Sequence, residues 1–331
     1  MKRHLVASLL VIAWLALPAL VLAAESKPQA PPPAPAYTGL KKRLAVAPIE
    51  IKVATTTITS GDQRTTVTQD RDPGPGNLGS NMTEQLTTAL VNTGRFIVLE
   101  RKALSDVRGE QALARSGEVN PVTAPTPGML IGAEWIIKAA ITEYESKASR
   151  SLGGAVFHGL GLGGKRSTAK VVLDVRLLDA TTGEVIDSVR ASGDAKSSGV
   201  LAAAAVRGVV LVAGKEDNTP IGQATRTALG NAVEFICQRM EQLAWRGRVV
   251  AVDGAEIIIN AGAKANVRVG DQFDLFKLGR KLVDPDTGQV LGQRETKGGR
   301  LEVTEVQDKL AICRLASGSP PAEGDVIRRV Q

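Results

Sequence analysis

Histidine and cysteine are scarce in this 331-residue chain, and their scarcity excludes most metal and nucleophile chemistry. The two histidines are His4 and His158, and the two cysteines, Cys237 and Cys313, lie far apart. Their spacing fits no metal-binding pattern. The G-x-S-x-G motif of a serine hydrolase does not occur, and no local pair of carboxylates indicates acid–base catalysis. The sequence therefore predicts no catalytic, cofactor-binding or metal-binding residues, and a protein that is not an enzyme.

Aromatic residues make up 3% of the chain, which leaves few platforms on which nucleic-acid bases could stack. The formal charge is +7, and it falls to +5 when Lys2 and Arg3 are removed. Such a mild, dispersed charge argues against a nucleic-acid partner. Cys237 and Cys313 both lie in apolar patterns, which favours two separate buried thiols. An oxidising compartment would also permit a disulfide, which stays the alternative.

The first 23 residues have the three parts of a secretory signal peptide. Positive residues 2–4 precede the apolar residues 5–17, and Pro18 and a small-residue site at Val21 and Ala23 follow. An uncleaved anchor is the alternative, because residues 5–23 could nearly span a bilayer. Since no cysteine follows the apolar stretch, we expect no lipid at the mature N-terminus. We predict cleavage before Ala24 and a mature chain in the periplasm, with outer-membrane association left open.

Composition divides the mature part, which is long enough for two domains. A proline-rich run predicts an extended tether. Mixed helix and strand patterns follow, and after Trp245 short strands punctuated by glycine predict a small barrel. The predicted divisions are a signal peptide over 1–23, a linker over 24–39, an α/β domain over 40–245 and a barrel over 246–331. The fold class is α/β, or α+β, with two hairpin or insertion segments, followed by a small all-β barrel.

Three helices and a set of strands are predicted in the α/β region. Asn81 and Glu84 fit a capping box for the first helix, and Gly94 fits the position after its end. The second helix closes at Gly117, and the third, over residues 219–245, has an apolar stripe. Strands are expected over 43–51, 95–100 and 134–145, and a hairpin over 169–193 with its turn at Thr182 and Gly183. The stripe consists of Ala224, Ala228, Ala232, Phe235 and Ile236.

Two long stretches are not assigned to regular elements so simply. Polar residues 52–79 are too many for a routine connection, so they form a functional loop, a disordered segment or a partly formed hairpin. Residues 151–165 contain Gly159, Gly164 and Lys165 in the G-x-x-x-x-G-K order of a Walker A loop. A phosphate-binding loop must open a helix, however, and the residues after Lys165 alternate as a strand. Arg166 stands where the motif needs Ser or Thr, so we reject a nucleotide-binding site.

Residues 43–245 resemble the CsgG/HfaB family, the curli production assembly and transport component. The resemblance rests on LAVAPIE, ALVNTGRFIVLERKALSDVRGEQAL, GAEWIIKAAITEYES and VVLDVRLLDATTGEVIDSV, and LERKALSDVRGEQ is its most specific piece. It implies a periplasmic α/β domain with two β-hairpin insertions. It also implies a ring whose hairpins together form an outer-membrane barrel that exports amyloid subunits.

By this resemblance residues 146–170 and 194–218 occupy the places of the two insertions. The glycines of the first would then mark a hairpin tip. Neither face of residues 146–152 alternates as a lipid face should. Residues 202–205, four alanines, favour a helix over a strand. The pore loop of the family carries aromatic residues, and residues 52–79 have none. A solvated loop, attachment at the membrane surface or rim, and a full span therefore stay open for the first insertion.

The C-terminal part, residues 248–330, resembles the C-terminal domain of the flagellar assembly protein FlgT. GRVVAVDGAEIIINAG, VRVGDQFDLFKLG, DPDTGQVLG and EGDVIRRV carry this similarity. Both resemblances imply a non-enzymatic component of envelope assembly or export, expected to form a homo-oligomer. Expected partners are outer-membrane or periplasmic envelope proteins and an exported protein substrate. The alternative is a soluble periplasmic adaptor that forms no pore.

Overall fold

A computed structural model describes residues 37–52, 56–60, 63–67, 78–150, 165–196, 205–206, 209–210, 219–288 and 290–330, and every structural statement below refers to them. The predicted signal peptide, most of the proline-rich linker, residues 151–164 and most of the second insertion lie outside them. None of the three described α-helices is long and apolar enough to cross a membrane.

Strands of the first half alternate with the helices in chain order. The helices are α1 (Leu78–Asn92), α2 (Leu104–Ser116) and α3 (Pro220–Gln242). The strands are β1 (Lys42–Val46), β2 (Glu50–Ile51), β3 (Thr56–Ser60), β4 (Gln63–Val67), β5 (Phe96–Leu99), β6 (Trp135–Arg150), β7 (Lys165–Asp179), β8 (Val185–Lys196), β9 (Ala205–Val206) and β10 (Val209–Val210).

The main sheet has the order β5-β1-β6-β7-β8, with β2 added beside β6. β1 runs parallel to β5 and β6, whereas β6, β7 and β8 form an antiparallel meander. Alternate residues of β7 point to one core, because successive side chains of a strand face opposite sides. Val171, Leu173, Val175 and Leu177 are fully buried there together with side chains of α1 and α3.

Helix α1 begins three residues before the predicted cap at Asn81. The helix begins at Leu78, so the capping box at Asn81 and Glu84 is wrong. Leu78 packs against the core and buried Gly79 lies against the Ile49 carbonyl, so burial extends the helix backwards. Gly94 has a φ of 66°, which confirms the predicted left-handed position after the helix end.

The other helices and the turn lie where they were predicted, except that α3 ends at Gln242 and not at Trp245. α2 ends at Gly117, whose φ is 82°, and α3 begins after Thr219, whose side chain accepts a hydrogen bond from the amide of Gly222. The β7–β8 turn has Gly183 at a φ of 75°. The stripe of α3 is fully buried except for Phe235, which is partly buried.

Two small hairpins decide predictions that the sequence left open. β3 pairs with β4, so the partly formed hairpin is the correct alternative for part of residues 52–79. Ala205 lies in β9, which pairs with β10. The helix expected over residues 202–205 is therefore wrong at Ala205, since strand pairing overrode the helix propensity of alanine.

The second half contains six strands that pair in a closed barrel, in the order β11-β12-β15-β14-β13-β16. They are β11 (Arg246–Asp253), β12 (Glu256–Ile259), β13 (Gln272–Val283), β14 (Val290–Val306), β15 (Ala311–Gly318) and β16 (Val326–Arg329). Phe273, Leu275, Leu301 and Ile327 fill its core without solvent exposure. Leu40, which precedes β1, is buried in the same core. The separation of the two domains at residue 245 stays a prediction.

Each half sends out a two-stranded ribbon. In the first ribbon, residues 147–150 pair with residues 165–168 of β7, beyond the core residue Ala169, and of these residues only Thr168 also pairs with β8, at Lys196. In the second ribbon, residues 277–298, β13 and β14 pair only with each other. The second ribbon ends in the turn that the sequence DPDTGQV predicted.

Candidate interaction surfaces

The near-Walker stretch does not open a helix at its described end. β7 is a continuous strand from Lys165 to Asp179, which confirms that a strand, and not the helix that a phosphate-binding loop needs, follows Lys165. Asp174, which would serve as a metal-binding carboxylate in that motif, pairs instead with Arg190 at 3.2 Å. No cluster of three metal-ligating side chains occurs within the described part of the chain. His158 lies outside it.

Both cysteines are free and buried, which confirms two separate thiols. Cys237 lies in α3, in the core of the first half, and Cys313 lies in β15, in the core of the barrel. Burial raises the pKa of the Cys313 thiol to about 12, because a thiolate loses its hydration there. The sequence predicted separation from the apolar surroundings of each cysteine, and the two cores supply the reason.

A cluster of charged side chains, Lys42 with Glu134 and Glu241, lies at the C-terminal end of α3. The ammonium group of Lys42 donates a hydrogen bond to the Met240 carbonyl, in the last turn of the helix. A cation there interacts favourably with the helix dipole. Burial lowers the pKa of Lys42, and the neighbouring carboxylates of Glu134 and Glu241 oppose that shift. Because Lys42 has a structural partner, we assign the cluster to stability.

The segment before β1 joins the two halves. Asn266 donates hydrogen bonds through its amide nitrogen to the carbonyls of Tyr37, at 2.9 Å, and Gly39, at 3.1 Å. The amide of Lys41 donates to the Ala265 carbonyl at 3.0 Å, and the Trp245 indole donates to the Lys41 carbonyl at 3.3 Å. The chain is thus fixed to the barrel immediately before it enters the central sheet. No sequence signal identified this contact.

Helix α2 is the least covered helix of the described chain. Gln111 is its buried residue, whereas Val107 and Leu113 are exposed to 38% and 43%. The Glu100 carboxylate accepts hydrogen bonds from the amides of Lys102, at 2.6 Å, and Ala103, at 3.0 Å, just before the helix. These bonds, that from Ala103 above all, lower the pKa of Glu100. Local bonding thus fixes a helix that little tertiary packing supports.

The segment 117–133 continues this exposed surface. The guanidinium group of Arg101, near the start of α2, donates to the Ile131 carbonyl at 3.0 Å. Apolar side chains of the segment are exposed; they are Val122 at 93%, Met129 at 73%, Leu130 at 43% and Ile131 at 41%. We call α2 together with residues 117–133 the α2 surface. The sequence assigned the α2 surface no role, although LERKALSDVRGEQ, which runs into α2 and ends at Gln111, is the most specific piece of the resemblance.

The first ribbon differs from the rest of the sheet in its charge. Residues 146–173 contain five basic residues and no acidic residue. One of the bases is neutralised across the strands, since the Lys170 ammonium lies 2.6 Å from the Glu143 carboxylate. The pKa of Lys170 is raised and that of Glu143 is lowered by this hydrogen bond. The ribbon therefore starts from a paired root and becomes purely basic beyond it.

Solved structures of low similarity include a hypothetical protein, CT253, from Chlamydia trachomatis, and the lipoprotein GNA1162 from Neisseria meningitidis. The first is 16% identical over 60% of this chain and 99% of that chain, with a TM-score of 0.32. The second is 15% identical over 61% and 99%, with a TM-score of 0.27. TM-scores this low support no argument about assembly or function.

Known relatives and family models give a stronger result. The curli production assembly/transport component CsgG of Salmonella typhimurium is 28% identical over 114 residues, 33% of this chain and 41% of its own length. The Escherichia coli component of the same name is equally similar over the same shares. The chain thus spans about two fifths of the curated relatives that it matches. Residues 254–323 match the model of the flagellar assembly protein T C-terminal domain.

The model of the curli production assembly/transport component CsgG matches residues 40–256, about two thirds of the sequence. This confirms the resemblance read from the strand and helix motifs, and it runs past Trp245 into the first barrel strands. On this match, the chain belongs to the CsgG family.

Proposed function

We propose that this protein is a non-enzymatic component of an envelope assembly or export apparatus, and that it works as a ring of identical copies. Its place would be the periplasm, in association with the outer membrane, after cleavage of the signal peptide before Ala24. Its partners would be envelope proteins and an exported protein substrate. Family membership supports this proposal, because the family is described as an assembly and transport component.

The ring rests on one observation, the exposure of the α2 surface. An isolated helix of about 13 residues has marginal stability in water. Because α2 buries little of its surface within its own chain, we expect packing against another molecule to stabilise it. A second copy that covers this surface with a different part of its own surface makes a heterologous contact. Such contacts close into a ring when the rotation permits it.

The first ribbon supports a position at the membrane. It extends the antiparallel meander beyond the core, in the place of the first hairpin insertion of the family. A lysine or arginine on the lipid face of a barrel costs about 2–4 kcal/mol at the midplane, so the bases of the ribbon would face a lumen or the rim. If the bases face a lumen, the ribbons of the ring would line a pore, and we propose that the protein substrate is exported through it.

Oligomeric state tests the ring. The mature chain in mild detergent is expected to give one discrete oligomer larger than a dimer by mass photometry. Leu113→Asp, which places a charge on the α2 surface, should shift it to monomers. Val250→Asp is the matched control, since Val250 is 52% exposed on β11, in the barrel. A wild-type chain that stays monomeric in detergent and in vesicles would refute the ring.

The soluble adaptor is the second candidate, and the basic charge of residues 146–173 favours it. Single cysteines along residues 146–170 would be labelled with a water-soluble maleimide in outer-membrane vesicles. Uniform labelling supports the adaptor, and protection of every second residue supports a span. The buried cysteines would be replaced in this background, because vesicle preparation can expose them.

A further inference from the structure

The second ribbon has exposed aliphatic side chains on a fixed frame. Every described residue from Gly279 to Arg294 except Asp284 is exposed. Four of them are aliphatic; Leu282 is exposed to 42%, Val283 to 51%, Val290 to 55% and Leu291 to 67%. A lone two-stranded hairpin is marginally stable in water, so a ribbon of this kind gains from cover on its apolar part.

Hydrogen bonds hold the tip and the middle of the ribbon. The Asp284 carboxylate accepts from the amides of Asp286, at 2.8 Å, and Thr287, at 3.1 Å, and these bonds lower its pKa. Gly288 closes the turn with a φ of 69°. The Gln293 side-chain amide donates to the Gly279 carbonyl across the strands at 2.7 Å. The four aliphatic side chains are thus presented on a preformed support.

Charge is ordered along the ribbon. Arg280, Lys281 and Arg294 lie on the side of the barrel, and no ion pair involves them among the described residues. Asp284 and Asp286 lie at the tip, with the aliphatic residues between the two groups. Arg280 and Asp284 are four residues apart, about 14 Å along a strand. The order from root to tip is therefore basic, apolar and acidic.

This order is self-complementary when two ribbons run in opposite directions. The acidic tip of each ribbon then lies beside the basic root of the other, and the aliphatic groups meet in the middle. We propose that the second ribbon is a self-association site that pairs antiparallel with the same ribbon of a second copy. The proposal goes beyond the ring, because this contact is isologous and uses the barrel instead of the α2 surface.

An anionic lipid surface fits the ribbon less well. Immersing the four aliphatic side chains would carry Asp284 and Asp286 into the membrane first, against the charge of the lipid. A pair of ribbons buries little area, so the contact is weak on its own. It becomes effective when the ring presents many ribbons at once, because two rings that face each other then make many such contacts together.

Crosslinking of the full mature chain tests the contact. Leu291→Cys lies near the centre of the pair, and Val269→Cys, exposed to 67% away from the ribbon, is the matched control. A short bis-maleimide should crosslink Leu291→Cys into dimers about tenfold more than the control. Equal yields from the two variants would overturn the proposal. Cys237 and Cys313 are replaced in both variants, as in the labelling of residues 146–170, so that each variant carries one thiol.

Charge exchange gives an independent test in the Leu291→Cys background. A root variant carries Arg280→Glu and Lys281→Glu, and a tip variant carries Asp286→Lys. Asp284 is left intact because it holds the turn. The root variant alone should lose crosslinking about tenfold, since acids then meet acids. The tip variant alone should lose less, because Asp284 and the introduced lysine leave its tip without net charge. An equal mixture of the two should restore it as mixed dimers, which tags of different size identify. A mixture that crosslinks no better than its parts contradicts the antiparallel pair.

Two further outcomes separate this proposal from others. If vesicles of anionic phospholipid protect Leu291→Cys from a water-soluble maleimide while no dimer forms, the ribbon binds lipid and the proposal is wrong. Leu113→Asp in the Leu291→Cys background separates it from the ring. If the ring is lost and weak crosslinking remains, the ribbon contact exists independently of the ring. If the ring forms and no crosslinking is seen, the ribbon proposal is wrong and the ring proposal stands.

Discussion

The two ribbons of this protein share a backbone design and differ in what their side chains can meet. The first, residues 147–150 with 165–168, belongs to a segment with bases and no acids. The second, residues 277–298, has bases at its root, four exposed aliphatic residues and acids at its tip. Two copies of the first would bring like charges together, whereas the charge order of the second complements itself. On the proposal made above, charge order decides the partner of the second ribbon.

The roots of the two ribbons are also built differently. Near the first, β8 packs against α3 so closely that Gly193 leaves no room for a side chain. Near the second, buried Asp325 accepts hydrogen bonds from the amides of Leu278, at 3.0 Å, and Ala322, at 2.8 Å. The first root therefore depends on close packing and the second on a satisfied buried carboxylate.

Gly193→Ala should have the largest effect, on the half that bears the first ribbon. The new Cβ would lie 2.0 Å from the Ala224 carbonyl oxygen and 2.6 Å from the Ala228 nitrogen, both in α3. We expect a loss of about 4 kcal/mol in the free energy of unfolding, because backbone would have to move. Gly132→Ala, where nothing lies within 4 Å, is the control in the same denaturant titration. Equal midpoints for the two variants would contradict the close packing.

Leu40→Ala should weaken the half that bears the second ribbon by about 3 kcal/mol, since it removes a buried leucine from the barrel core. The barrel would lose protection from hydrogen exchange before the α/β sheet does. Val269→Ala, at an exposed site, should change stability by less than about 0.5 kcal/mol. If Leu40→Ala and Val269→Ala in the full mature chain gave the same midpoint of unfolding, Leu40 would not support the barrel core.

Asp325→Ala should cost about 2 kcal/mol, because the amides of Leu278 and Ala322 lose their acceptor in two partly buried hydrogen bonds. It should also loosen the second ribbon selectively, seen as faster amide exchange at Leu278. Asp308→Ala serves as the matched control, since its side chain is 79% exposed and its ion pair with Lys264 contributes little. If exchange in residues 277–298 stays at the wild-type rate, Asp325 does not hold the root.

Glu50→Gln should have the smallest effect, near the start of the first half. Hydrogen bonds from Lys138 and then Lys52 lower the pKa of Glu50 from 4.5 to about 2. A carboxylate with a depressed pKa stabilises the fold above pH 4.5, and the gain is lost as the pH falls towards 2. The variant should melt below wild type by under about 2 °C at pH 7. Near pH 2 the difference should vanish, and Glu256→Gln should show none at either pH.

Local patterns were sufficient where a residue acts through its own neighbours in the chain. The turn and helix-end glycines Gly94, Gly117 and Gly183 followed from the sequence, because each serves a turn or helix end within a few residues. The cap at Asn81 failed because Leu78 and Gly79 found burial against a distant strand. The alanines at 202–205 misled for a different reason, since local pairing with Val210 outweighed helix propensity at Ala205.

By itself the sequence determined the alternation of helices and strands, the change to short strands after Trp245, the separate burial of two thiols and the family. These depend on periodicity, turn residues and motifs that the chain carries locally. Only the tertiary structure decided that Leu40 enters the barrel core, that Lys42 closes α3, that α2 lies nearly uncovered and that the second ribbon leaves the barrel. Each depends on residues distant in sequence meeting, or failing to meet, in space, and no local pattern contains that information.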